Sequence, residues 1–92
     1  MRTYLITGGT DGIGRGLTMH LLDRGDRVIA VASGEARGRA LLETAERIGA
    51  ADRALFLRAD LSTLSGMREV VRRVTEVTDA LDGLVFAAQR FR

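Results

Sequence analysis

The sequence predicts an α/β fold in which helices cover a single parallel sheet. Short runs of β-branched and apolar residues alternate along the chain with longer segments whose apolar residues recur at helical spacing. Such alternation of strands and helices is typical of βαβ units, which form parallel sheets. No repeat, linker or low-complexity segment interrupts the 92 residues, so we expect one domain over residues 1–92.

The predicted elements follow one another with short connections. The predicted strands are residues 3–7 (TYLIT), 27–32 (RVIAVA), 53–58 (RALFLR) and 83–88 (GLVFAA). The predicted helices are residues 12–24, 35–48 and 63–79. Gly25 and Gly49 follow the first two helices, and glycine ends helices well because it adopts the left-handed conformation without a steric penalty. Ser62 or Thr63 is expected to cap the third helix.

The strand order follows from the handedness of the connections. Parallel strands are joined by right-handed crossovers, so the order 3-2-1-4 places the first two helices on one face and the third on the other. This is the doubly wound arrangement of the Rossmann fold. The sequence ends at Arg92, so we expect a version truncated after its fourth strand, with that strand as an open edge. A single apolar stripe must then cover the second face: Leu64, Met67, Val70, Val71, Val74 and Val77.

The composition is that of a globular protein and excludes several classes. With 46% hydrophobic residues and no cysteine, the chain has neither disulfides nor thiolate metal sites. No segment approaches the roughly 18 apolar residues of a membrane span, and no signal peptide is recognisable, so we expect a cytoplasmic protein without a membrane partner. The basic residues are all arginine, nearly balanced by acids at a net charge of +2, and scattered. Nucleic acid is therefore not an expected partner.

The segment TGGTDGIG, residues 7–14, predicts an anion-binding turn. It joins the first strand to the first helix, where backbone N–H groups and the positive end of the helix dipole converge. Gly8 permits a sharp turn, Gly12 lets a pyrophosphate approach the backbone, and Gly14 lets the helix pack on the strand. Glycines also occur in plain turns, but this position between strand and helix favours nucleotide binding.

Three motifs resemble the short-chain dehydrogenase/reductase family. TGGTDGIG resembles the family's T-G-x-x-x-G-I-G, ADLS at 59–62 resembles its Asp-Leu pair, and LDGLVFAAQ at 81–89 resembles L-D-x-L-V-N-N-A-G. The resemblance spans the chain and implies an NAD(P)-binding Rossmann sheet and, in complete members, hydride transfer between the cofactor and a carbonyl or alcohol. The Asp60 carboxylate is implied to accept the adenine amino group. The expected cofactor-binding residues are Gly8, Thr10, Asp11, Gly12, Ile13, Gly14, Ser33, Arg37, Asp60, Leu61, Ala87 and Ala88.

The fourth-strand motif departs from the family pattern. Phe86, Ala87, Ala88 and Gln89 replace Asn-Asn-Ala-Gly, so two amides and a glycine beside the cofactor ribose are lost. Gln89 is expected to crowd that passage. We interpret the change as relaxed selection on cofactor geometry, with weakened or lost binding as a possible result. The alternative is that the motif has changed by neutral substitution in a sheet that still folds.

The family's catalytic residues have no counterpart in this sequence. The family reaction uses a tyrosine as general acid/base, a lysine that lowers its pKa and a serine that holds the carbonyl, all beyond a fourth strand. The chain contains no lysine, and Tyr4 lies in the first predicted strand. His20 has no evident serine or cysteine partner. We therefore expect no catalytic residue here and no activity of this chain alone.

The end of the second strand bears on the choice of cofactor. NAD-preferring members place an acid there, and NADP-preferring members place an arginine nearby. This chain has Ser33 there, with Arg37 or Arg39 expected near a 2′-phosphate, and no carboxylate repels it. Asp11, however, occupies a position that is arginine in many NADP-dependent members. We predict NADP, with NAD as the alternative.

Three functions remain open at this stage. The first is the cofactor-binding part of a short-chain dehydrogenase/reductase. The second is a non-catalytic Rossmann subunit that binds another protein, and the third is half of a split enzyme. The uncovered sheet face and strand edge predict a homo-oligomer or a larger protein partner, with Val85, Phe86 and Phe91 as contacts. The substrate is not readable from these residues.

Overall fold

A computed structural model describes residues 1–8, 10 and 12–86. The strands are β1 (Thr3–Thr7), β2 (Arg27–Ala32), β3 (Ala54–Arg58) and β4 (Gly83–Phe86). The helices are α1 (Gly12–Asp23), α2 (Glu35–Arg47) and α3 (Leu64–Val77), and a 3₁₀ turn (Ala51–Arg53) precedes β3. The expectations for Asp11, Ala87, Ala88, Gln89 and Phe91 lie outside the described residues.

The helix ends follow the predicted capping residues. Gly25 and Gly49 both have positive φ, at 94° and 77°, directly after the last turns of α1 and α2. Of the two residues expected to cap α3, Thr63 is the N-cap, and its Oγ1 accepts a hydrogen bond from the Gly66 N–H at 3.0 Å. Arg53, predicted as the first residue of the third strand, instead lies in the 3₁₀ turn, where its guanidinium donates to the Leu22 carbonyl at 2.9 Å.

The sheet is parallel and has the predicted order β3-β2-β1-β4. Leu5 of β1 is paired with Ile29 of β2 on one side and with Leu84 of β4 on the other. Asp82 ties β4 to the start of β1, because its N–H donates to the Thr3 carbonyl and its carboxylate accepts from the Thr3 N–H, both at 2.8 Å. The carboxyl ends of all four strands therefore lie along one edge of the sheet.

Two apolar clusters lie on opposite faces of the sheet. The first joins the sheet to α1 and α2 through Ile6, Leu21, Leu22, Val28, Ala45 and Ala50. The second joins it to α3 through Leu5, Ile29, Val31, Leu57, Val70 and Val74. This confirms the predicted placement of α3 on its own face. No helix in the described ranges is both long and apolar enough to cross a membrane.

The face covered by α3 remains partly open. Only Val70 and Val74 of the predicted stripe are buried, since one helix meets a sheet along a single line of contact. On β4, Leu84 shares the face of its neighbour Leu5, and Phe86, two residues on, points the same way. The exposed apolar side chains of α3 and β4 on this side of the sheet, here called the open apolar face, are Leu64, Met67, Val71, Val77, Leu84 and Phe86.

Candidate functional site

The glycine turn lies at the carboxyl end of β1, which is a central strand of the sheet. Gly8 has φ of 75° and Gly12 has φ of 51°, a left-handed conformation that is strained for residues with a β-carbon. The Gly8 N–H donates to the Val31 carbonyl at 2.7 Å, which binds the start of the turn to β2. Both glycines are therefore required by the path of the backbone.

The turn leaves the first residue of α1 accessible. A β-carbon placed on Gly12 would meet no heavy atom of the described residues within 4 Å, so the side-chain position at the first residue of the helix is open. The first N–H groups of a helix have no partner within the helix and attract anions. Thr10 is buried at this turn, whereas the Ile13 side chain is 86% exposed beside it. This arrangement fits the pyrophosphate of a dinucleotide.

Gly14 lies in the first turn of α1. It is buried on the face of α1 that contacts the sheet, and its carbonyl accepts a hydrogen bond from the buried Thr18 hydroxyl at 2.8 Å. That Gly14 lets the helix pack on the strand, as the motif indicates, stays a prediction.

A second part of the site is a cavity at the carboxyl ends of β2 and β3. Its volume is about 490 Å³, and Ser33, Arg58, Ala59 and Asp60 line it. Asp60 Oδ1 accepts hydrogen bonds from the Ser62 N–H at 2.9 Å and from the Ser62 hydroxyl at 2.6 Å. These bonds orient the carboxylate within the cavity. Ser33 and Asp60, both predicted from the sequence, are thus brought to one cavity although they lie on different loops.

Arg58 is a residue of this cavity that the sequence analysis missed. It is the last residue of β3, opposite Ala32 of β2, and its Nε donates to the Ser33 carbonyl at 3.2 Å. A signal was present in the sequence, because the predicted strands at 27–32 and 53–58 are neighbours in the predicted order. Aligning their carboxyl ends would have placed Arg58 beside Ser33.

The remaining expected residues have different surroundings. Arg37 is exposed in the first turn of α2, and Arg39, two residues further along, forms an ion pair with Glu35 at 3.5 Å. Leu61 is partly buried and packs against the apolar cluster under α3. Packing in the core is therefore a sufficient reason for an apolar residue after Asp60, and a contact with a ligand is not needed to explain it.

The topology places the turn where ligands bind in open α/β sheets. β1 lies between β2 and β4, and the helices that follow β1 and β3 cover opposite faces. The strand order reverses at this point, and in open α/β sheets ligands bind outside the carboxyl ends of the strands at such a reversal. The glycine turn follows β1 at this end of the sheet.

Comparison with known proteins agrees with this architecture. A family model described as short chain dehydrogenase matches residues 2–90. The polyketide synthase ThaG of Burkholderia thailandensis is 40% identical over 97% of this chain, which is 2% of its own length. The rhamnolipids biosynthesis 3-oxoacyl-[acyl-carrier-protein] reductase of Pseudomonas aeruginosa is 36% identical over 91% of this chain and 32% of its own length.

A solved structure shares the fold and the sequence pattern. The Pseudomonas aeruginosa RhlG/NADP active-site complex superposes with a TM-score of 0.81 and 34% identity, covering 97% of this chain and 35% of that chain. The present chain therefore spans about a third of the length of the reductase and of this structure, and a far smaller share of the polyketide synthase.

Proposed function

Since the chain belongs to the short chain dehydrogenase family, we propose that it forms the dinucleotide-binding portion of an NADP-dependent oxidoreductase that transfers hydride to a carbonyl group. The observation that carries the proposal is the open N-terminus of α1 behind two left-handed glycines, Gly8 and Gly12. Helix N-termini of this form bind the pyrophosphate of dinucleotides. The proposed binding residues are those of the turn together with Ser33 and Asp60.

The relatives support both the cofactor and the reaction. The similar Pseudomonas structure is an NADP complex by its title, and the reductase relative acts by its name on a 3-oxoacyl group, which is a ketone. Hydride transfer from bound NADPH to such a carbonyl also requires a proton donor, and no lysine exists in this sequence to tune one. We therefore assign binding and orientation of the cofactor to this chain, and not proton transfer.

Isothermal titration calorimetry of the purified chain with NADP⁺ and NAD⁺ tests this function. We expect saturable binding of NADP⁺ with one site per chain and weaker binding of NAD⁺. Circular dichroism of the same sample shows whether the chain is folded. A folded chain that binds neither dinucleotide would contradict the proposal.

A second candidate function is protein binding through the open apolar face. Val71 is 63% exposed and Phe86 is 68% exposed, on the same side of the sheet. Large exposed apolar side chains that gather on one face are uncommon on monomeric proteins and mark interaction sites. A non-catalytic subunit that joins a copy of itself or a larger partner on this face would not need to bind a dinucleotide, so the calorimetry above separates the two functions.

A further inference from the structure

We propose that Arg58 determines the choice between NADP and NAD by binding the 2′-phosphate of NADP in the cavity beyond β2 and β3. This inference rests on the proposed function, because it assumes that the dinucleotide binds at the carboxyl edge of the sheet. It assigns the role to a residue on β3 in place of the two arginines on α2 that the sequence suggests, Arg37 and Arg39.

The strand register places Arg58 at the required position. It pairs with Ala32, the last residue of β2, so its side chain starts beside the point where the chain leaves that strand. In dinucleotide-binding folds the residues that follow this strand contact the adenosine ribose, and an arginine near them accommodates a 2′-phosphate. The hydrogen bond from Arg58 Nε to the Ser33 carbonyl holds the guanidinium there at 3.2 Å.

This hydrogen bond occupies only one of the donor positions of Arg58. A guanidinium presents five N–H donors, and its two terminal nitrogens can bind two oxygens of a phosphate side by side. Among the residues that the structure describes, no carboxylate forms an ion pair with Arg58. The side chain is exposed to the cavity, so a ligand can reach it without displacing protein atoms.

The other charged groups near the cavity favour the same position for a phosphate. Asp60 also lines the cavity, and its Oδ1 accepts two hydrogen bonds from Ser62, which partly offset its negative charge. A phosphate beside Ser33 would therefore meet the guanidinium and the Ser33 hydroxyl. Arg39 is held by Glu35 at 3.5 Å, which reduces the positive potential it presents to a ligand.

Calorimetry on Arg58→Gln, Arg58→Lys and Arg39→Gln tests the proposal with NADP⁺ and NAD⁺ as probes. We expect Arg58→Gln to weaken NADP⁺ binding by at least about tenfold, equivalent to roughly 1.4 kcal/mol, and NAD⁺ binding by less than about twofold. Arg58→Lys keeps the charge but lacks the planar fork, so it should show an intermediate loss. The matched control Arg39→Gln removes the same charge from α2 and should change neither affinity by more than about twofold.

Several outcomes would overturn the role of Arg58. The role would be overturned if Arg58→Gln weakened both dinucleotides equally or weakened neither. It would also be overturned if the selective loss of NADP⁺ appeared in Arg39→Gln instead. None of these outcomes would contradict the proposed function. A parent chain that binds NAD⁺ and not NADP⁺ would also overturn the role of Arg58. A folded parent that binds neither would overturn the proposed function, and this inference with it. Circular dichroism on every variant identifies a change that acts only through unfolding.

Discussion

Gly66 in the first turn of α3 lies directly against the main-chain carbonyl of Asp60, so closely that a β-carbon on residue 66 would overlap that oxygen. Thr63 joins the same contact, because its hydroxyl lies within hydrogen-bond distance of both the Gly66 N–H, at 3.0 Å, and the Asp60 carbonyl, at 3.2 Å. The start of α3 and the loop that carries Asp60 are therefore one packed unit. A side chain at residue 66 would therefore displace either the loop that carries Asp60 or the start of α3.

We expect Gly66→Ala to lower the free energy of unfolding by about 1–3 kcal/mol, because the atom in its way is backbone and cannot rotate aside. Urea unfolding followed by circular dichroism measures the change. The control is Gly16→Ala in α1, where a β-carbon would meet nothing within 4 Å. Alanine favours a helix interior over glycine by about 1 kcal/mol, so this variant should be as stable as the parent or more so. Equal stabilities of the two variants would contradict the close contact at Gly66.

Gly12→Val should reduce NADP⁺ affinity by at least about tenfold, or roughly 1.4 kcal/mol, because a branched side chain enters the space in front of α1. Gly25→Val provides a matched control at the other end of the same helix. It also has positive φ and an open β-carbon position, so both variants place a branched residue in a backbone conformation that favours glycine. Calorimetry should show normal affinity for folded Gly25→Val. Equal affinities of the two folded variants would refute the assignment of the turn.

The chain should self-associate through the open apolar face. Light scattering at several concentrations is expected to give a mass above that of one chain, and Val71→Glu should lower it because it places a charge in the apolar patch. Ile48→Glu is the control, since Ile48 is 45% exposed at the end of α2, the helix on the other face. Phe91, the contact that the sequence favours most, lies outside the described residues. A soluble monomer at every concentration that binds no hydrophobic dye would show the prediction to be wrong.

The chain alone should not reduce carbonyl compounds. Tyr4 is the only tyrosine, and it lies four residues before Gly8, roughly 13 Å away at about 3.3 Å per residue of strand. The neighbouring Tyr4 raises the pKa of the Arg2 guanidinium, so the phenol lies near Arg2, which precedes the strand at the end opposite the turn. NADPH oxidation measured with a panel of aldehydes and ketones should equal the buffer blank. Turnover that survives purification and is abolished by Gly12→Val would disprove this.

Much of the fold was predictable because local signals in this chain agree with the handedness of parallel connections. The apolar runs and helical periods located each strand and helix to within a few residues, and the right-handed crossover rule ordered the strands. The glycine turn was also predictable, since the need for glycine at Gly8 and Gly12 arises from the backbone of the turn itself. Each of these features depends on residues close together in the chain.

Packing between distant segments decided which helix residues are buried and which residues line the cavity. Ala36 and Ala40 fit the apolar period of α2 but are exposed, because Gly38 faces β3 and a β-carbon there would overlap the Phe56 ring. Most of the α3 stripe is likewise exposed, since no second helix in the described residues covers that face. Arg58 and Ser33 are 25 positions apart and meet only through the register of β2 and β3. The sequence alone determined the elements and the turn, whereas burial and the cavity wall were decided by the tertiary structure, because contacts between distant residues exist only once the sheet has formed.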